Sequence, residues 1–420
     1  MKKTLVFVWI TLILLSISGC QKNNELAVWS FTDELDEMIK KYYIPAHPSG
    51  KVKYNFILTS PTDQFDSSLD SVLQSGIGAP DVFGLESAFV RKYVESGYLL
   101  DLTDIYDRNK DKLLYYPVEV GTYKGKVYAL SWQASPGAMF YRRSFAKKYL
   151  GTDDPDVVQT YFDNLQKFID TARLLKERSN GACVVISSIG DLQYLFYNTR
   201  KDPWIVNNRL VIDPVLERYF EVAKTLHDNG WEGRVSQWSE AWTAGMRDGL
   251  IDENGNPVEV FSYFLPTWGL SYALKNNASG TSGDWAMCPG PVPFRLGGSW
   301  VGAWKDTKNP EAAKQLIEWL TTDDGFLENW AKDRGDLVSN MAVINRIKDG
   351  FSDPFLDGQN YYAVFAGIAL NVSDRLVQGT DSIIQALFQK ELASYVKDEK
   401  TRAQALDDFS RQIKDRLDLN

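Results

Sequence analysis

Trp29, Trp132, Trp204, Trp238, Trp242, Trp268 and Trp300 each lie within two residues of a glycine, proline, serine, asparagine or charged residue. Trp319, by contrast, sits inside an apolar helical stretch, where a core tryptophan belongs. Loop tryptophans offer flat aromatic faces, and such a face stacks on the patch of C–H groups of a pyranose ring. The ring hydroxyls then need planar partners with two hydrogen-bonding positions. The loops supply these as Thr32, Asp33, Glu86, Gln133, Arg334 and Asp336. The expected binding set is therefore Trp29, Thr32, Asp33, Glu86, Trp132, Gln133, Trp268, Gly298, Trp300 and Arg334. Trp300 follows Gly297-Gly298-Ser299, and glycine lets a backbone adopt positive φ and approach a ligand closely. Trp300 is thus expected to project into a cleft, with Trp268, after Pro266, as a second platform.

Catalytic and metal chemistry have little to stand on. His47 and His227 are the only histidines, too few for a His-rich metal site or a His-dependent triad. No glycine-rich phosphate loop, H-E-x-x-H, C-x-x-C or G-x-S-x-G pattern occurs. Asp248 to Asn256 lacks the alternating oxygen ligands and closing Glu of a calcium loop and reads as a polar turn. No carboxylate pair stands out for glycoside hydrolysis. The chain is expected to be no enzyme, with no catalytic residue, metal or cofactor. Cys183 and Cys288 have no histidine near them in sequence; whether they pair depends on a distance the sequence does not give.

The N-terminus points to a compartment. Lys2 and Lys3 precede Leu5 to Ile17, an almost unbroken apolar run. It is shorter than the roughly 20 residues of a spanning helix and suits a signal peptide. It ends at Ile17-Ser18-Gly19-Cys20, which resembles the bacterial lipobox. The resemblance implies that Cys20 carries lipid and becomes the first mature residue, durably held because several acyl chains act together. Residues 1–20 are then the lipoprotein signal peptide and 21–25 a tether. The expected location is the extracytoplasmic face of the cell membrane.

The elements that position these residues follow from periodicity. Leu26 to Trp29, Val52 to Leu58 and Asp81 to Gly84 read as strands, with helical spacing at 33–39 and 67–75 between them. That alternation argues for an α/β lobe with a largely parallel sheet. Helices are expected at 155–179 and 213–229, and at Pro310 to Leu320 behind an Asn309 cap. Two amphipathic helices close the chain, one around Ile384 to Leu392 and one around Leu406 to Leu417. With 420 residues, 44% of them hydrophobic, the chain has material for a large core, and domains of about 100–200 residues make two lobes natural. The 46 basic and 55 acidic residues leave a net charge of −9, which offers nothing to nucleic acid.

Several motifs in order carry a resemblance. They are Val28-Trp29-Ser30-Phe31-Thr32-Asp33, Gly78-Ala79-Pro80-Asp81-Val82-Phe83, and Gly97-Tyr98-Leu99-Leu100-Asp101-Leu102. Gly125-Lys126-Val127-Tyr128-Ala129-Leu130 follows, with Met139-Phe140-Tyr141-Arg142 after it. The later ones are Trp242 to Met246 with Pro266-Thr267-Trp268, then Gly283-Asp284-Trp285, Pro289-Gly290-Pro291, Gly297-Gly298-Ser299-Trp300 and Asn309-Pro310-Glu311-Ala312-Ala313. Together these resemble the extracellular solute-binding lipoproteins of carbohydrate ABC importers, the family that includes maltose-binding protein. The resemblance implies a two-lobe, type II periplasmic-binding-protein-like α/β fold with the ligand clamped between lobes. Crossings are expected near 129–131, 301–304 and 338–345. Lobe one would be 26–130 plus 303–340, and lobe two 131–302 plus 341–420. The implied partners are a carbohydrate ligand, an ABC permease and ATPase on other chains, and the membrane through the anchor, with the receptor itself a monomer. A polyamine in the same fold, and less so a lipid-anchored carbohydrate-active enzyme, are the alternatives.

Overall fold

The computed structural model describes residues 25–48, 53–58 and 62–420. Cys20, the signal peptide and most of the tether lie outside the described residues. Glu25, placed in the tether above, already begins a strand. No helix among the described residues is long and apolar enough to cross a membrane.

Two mixed sheets organise the chain. In the first, the order is Lys53–Leu58, Glu25–Ser30, Val82–Glu86, Ser299–Ala303 and Leu130–Ser131. The three N-terminal strands run parallel, as expected, and Ser299–Ala303 joins them antiparallel. The second runs Trp285–Cys288, Pro136–Arg142, Glu259–Pro266 and Cys183–Ile186, with Phe294–Arg295 pairing to the start of Pro136–Arg142. Only the Glu259–Pro266 and Cys183–Ile186 pair is parallel there. Strand Pro136–Arg142 is buried along its whole length, hence its unbroken apolar run Ala138-Met139-Phe140-Tyr141. Cys183 and Cys288 are both free, buried, and on opposite edge strands of this path. Three strand spacings of about 4.8 Å put them far beyond the roughly 7 Å that a disulfide spans.

The chain passes from the first sheet to the second through residues 132–135 and returns through 296–298. A third passage follows helix Met341–Ile347 and leads to Tyr361–Ala369, which packs on the second sheet's Pro136–Arg142 and Trp285–Cys288. One apolar cluster runs under both sheets, joining Leu26, Val82 and Val301 to Phe140, Tyr263 and Trp285.

The expected helices form. Residues 155–179 split into Pro155–Gln159, capped by Asp154, and Leu165–Arg178, capped by Asn164. Asp213 caps Pro214–Asp228. Pro310–Thr322 starts as read, but the Asn309 side chain makes no cap bond; its amide reaches back to the Glu25 carbonyl instead. Asp381–Val396 and Arg402–Leu417 pack against each other, and Thr401 with Gln404 forms a capping box on the second.

Candidate functional site

A cavity of about 900 Å³ opens between the two sheets. It lies at the C-terminal ends of the parallel strands Glu25–Ser30 and Val82–Glu86, the usual place for a ligand crevice in an open α/β sheet. Phe31, Thr32 and Glu34 enter from the first strand end, and Glu86 from the second. Gln133 enters from the first crossing, and Gly297, Gly298 and Ser299 from the second. Trp268 and Tyr272 come from the helical turn after Glu259–Pro266, and Arg334 and Asp336 from the end of helix Asp324–Arg334.

Of the expected binding set, the fold brings Thr32, Glu86, Gln133, Trp268, Gly298 and Arg334 to one wall or another of this cavity. Trp268 is half-buried, stacked on Trp238 at 5.8 Å and 19°, with its indole N–H donating to the Leu296 carbonyl at 3.1 Å. Gln133 donates from Nε2 to the Ser299 hydroxyl at 2.9 Å. The Thr32 hydroxyl is buried and has no protein partner among the described residues.

Four expectations are corrected. Trp300 is 1% exposed. Its indole N–H donates to the Pro117 carbonyl at 2.7 Å, and the Arg295 guanidinium covers its ring. Ser299 faces the cavity in its place, because successive side chains on a strand point to opposite faces. Trp132, on the passage beside Gln133, is fully buried. Trp29 is half-buried against the apolar cluster of the first sheet, away from the cavity wall. Asp33 is exposed, and Glu34, one residue later, lines the cavity. Trp204 and Trp242 are also core residues; the Trp242 N–H donates to Asp191 at 2.8 Å.

Sequence reading passed over Glu34, Phe31, Tyr272 and Tyr361. A signal for Tyr272 exists: it stands four residues after Trp268 in one helical run, the spacing that puts two side chains on one face. Its ring meets Trp268 edge-on at 6.0 Å, and it is 68% exposed at the cavity mouth.

Some of the charges on the wall are paired and others are not. Arg334 pairs with Glu37 at 2.6 Å, and Lys275 pairs with Asp353. Glu34, Glu86 and Asp336 have no salt-bridge partner among the described residues. Burial, reinforced by nearby Asp336, pushes the Glu34 carboxyl up to about 8. Burial lifts Asp336 to about 6, against a hydrogen bond from the Trp330 indole at 3.2 Å. Burial also raises Glu86, opposed by the Ala88 N–H at 2.6 Å and the Ser87 hydroxyl at 2.9 Å. A carboxyl that keeps its proton is both donor and acceptor, the pair of roles a hydroxyl-rich ligand engages. No group of histidine, cysteine and carboxylate side chains suited to a metal occurs among the described residues.

The sequence profile of the family described as bacterial extracellular solute-binding protein matches residues 49–354, well over half of the chain. The chain belongs to that family. It is a receptor for a solute outside the cytoplasm rather than an enzyme. The receptor is 27% identical over 457 aligned positions to the arabinooligosaccharide-binding protein of Bacillus subtilis (strain 168), covering 99% of this chain and 100% of that one. Among solved structures, an extracellular solute-binding protein of family 1 superposes with a TM-score of 0.80 at 21% identity, covering 92% of this chain and 98% of its own. The ABC-transporter-associated binding protein of B. animalis subsp. lactis Bl-04, solved with β-1,6-galactobiose, gives 0.69 at 21% identity over 93% and 97%. These two likenesses establish the fold of the receptor as that of the periplasmic binding proteins.

Proposed function

We propose that the receptor captures a sugar, and an oligosaccharide in particular, in the cavity between its sheets and delivers it to the permease of an ABC importer. The observation that carries this is the composition of the cavity wall. An aromatic platform, Trp268 backed by Trp238, shares the cavity wall with Gln133, Ser299 and Thr32 and with Glu34, whose carboxyl burial pushes up to about 8. The whole-length relative in B. subtilis is named for an arabinooligosaccharide, which supports the same class. A Kd near 1 μM needs about −8 kcal/mol, within reach of stacking plus several hydrogen bonds after ordering costs.

Division into two lobes that close on the ligand belongs to this proposal, with the first sheet's residues in one lobe and the second sheet's in the other. So does lipid attachment at Cys20, which would hold the receptor as a monomer on the outer face of the cell membrane. Isothermal titration against neutral oligosaccharides tests the ligand class. Three unpaired carboxyls, Glu34, Glu86 and Asp336, favour a polyamine as the second reading, so spermidine is the other arm. Binding of spermidine with no response to any sugar would replace the sugar by a polycation.

A further inference from the structure

A second cavity, of about 460 Å³, adjoins the first. Both are walled by Glu86, Trp268 and Gly297, so Trp268 stands at their junction. The smaller one extends into the second lobe between the segment around Tyr194 to Arg200 and the start of helix Asp381–Val396. Its floor is made of hydrogen-bonding side chains: Tyr194, Tyr197, Arg200, Asp381, Gln385 and Gln389.

Two features show that this lining is built for a polar occupant. Arg200 and Asp381 form an ion pair at 3.3 Å with side chains 3% and 10% exposed. Each nevertheless keeps one buried atom without a partner, Nη1 of Arg200 and Oδ1 of Asp381. One donor and one acceptor of this ion pair are thus left over, where an unmet polar group is expensive. The second feature is charge. The carboxylates of Glu86, Asp374 and Asp381 are matched by the guanidiniums of Arg200, Arg295 and Arg375. Arg295 and Asp374 are themselves a buried pair, Nε to Oδ1 at 2.6 Å. An anion or a cation gains no net attraction from such a wall; a neutral polyhydroxylated unit can bond to it.

We propose that the smaller cavity is a second sugar compartment of the same site, so that the ligand is an oligosaccharide laid across Trp268 with neutral units in both cavities. This rests on the sugar reading above and specifies its length and the position of its far end.

The test is calorimetry with arabino- and galacto-oligosaccharides of one to four units, on the wild-type receptor and on Gln385→Trp. Gln385 is half-buried on the surface of its helix, so a larger side chain there fills the compartment without entering the core. A second variant, Gln385→Leu, removes the polar head without filling, and circular dichroism checks that both fold. The wild type is expected to tighten by about tenfold or more from one unit to three, as each bound unit adds contacts after ordering costs are met. In Gln385→Trp that gain with length is expected to disappear, and in Gln385→Leu to shrink. Equal length dependence in wild type and both variants overturns the second compartment while leaving sugar binding intact. A wild type that ignores every sugar in the series overturns the sugar reading and the compartment together.

Discussion

Glu34 lines the cavity as a carboxylic acid rather than a carboxylate, and that has a stability consequence. Its ordinary value is 4.5 and its folded value about 8, so the folded state keeps a proton that the unfolded chain gives up. Stability contributed by the fold is therefore lost progressively as pH rises from about 4.5 to 8, and the loss then levels off. Asp336, held at about 6, adds a smaller decline between pH 4 and 6. Glu34→Gln keeps the shape and the hydrogen-bonding roles without the titration. Its thermal midpoint should equal wild type near pH 4.5 and exceed it at pH 8; matching profiles would show that Glu34 ionises freely. At the same scale, the tryptophans separate by function. Trp268→Ala should weaken sugar binding by roughly 1–3 kcal/mol, about 5- to 150-fold, with a small change in midpoint. Trp300→Ala should cost about 3–5 kcal/mol of stability, because the ring is buried and its N–H is bonded to Pro117. Paired calorimetry and thermal melts distinguish them, and a Trp300→Ala variant with wild-type stability would return Trp300 to the site. The sequence pointed to segments that border the cavity and did not always name the residue that lines it. Ser299 lines the cavity where Trp300 was expected and Glu34 where Asp33 was, while of the expected pair Trp132 and Gln133 only Gln133 does. Residue type and turn chemistry locate a segment, but the face it shows depends on register against the adjacent strand, which is a tertiary property.

The element that decides the platform's position is the Gly297-Gly298 turn. Gly297 has φ +76° and Gly298 φ +117°, both in the region that L side chains avoid. A Cβ on Gly297 would sit 2.7 Å from the Trp268 indole nitrogen, and one on Gly298 would meet the Trp300 ring at 3.1 Å. The glycines therefore make room for one tryptophan on the cavity wall and another in the core. Gly297→Ala should displace Trp268 and reduce sugar affinity by about fivefold or more, while costing about 1–2 kcal/mol of stability for the backbone conformation. Titration and melting of this one variant read both effects; unchanged affinity would mean the indole shifts without consequence. At this scale much was legible. Apolar spacing placed the helices at 213–229 and from Pro310, which form, although the expected Asn309 cap does not. What was not legible is pairing: that Ser299–Ala303, far along the chain, inserts antiparallel beside Val82–Glu86 follows from packing and from no local signal.

For the whole molecule the question is what moves. All three passages between the sheets border the cavity: Gln133 on the first, Gly297 and Gly298 on the second, and Asp336, Phe351 and Ser352 around the third. A second tie crosses between the sheets' territories at Glu119, whose carboxylate accepts from the Asp374 N–H at 2.8 Å and the Ser373 hydroxyl at 3.2 Å. On the two-lobe closure proposed above, a ligand touching Thr32 and Glu86 from one side and Trp268 from the other would hold the lobes together and shift the population toward a closed form. Sugar at saturation should therefore reduce the radius of gyration in small-angle scattering. It should also shift tryptophan emission, because Trp268 and its stacked neighbour Trp238 lose water on one side. In Trp268→Ala the emission change should fall away, whereas the scattering change should persist at a sugar concentration raised to restore saturation. Those two readouts separate the platform from the hinge: contraction without an emission change in wild type would remove Trp268 from the site, and an emission change without contraction would mean that the lobes are already closed before the ligand arrives.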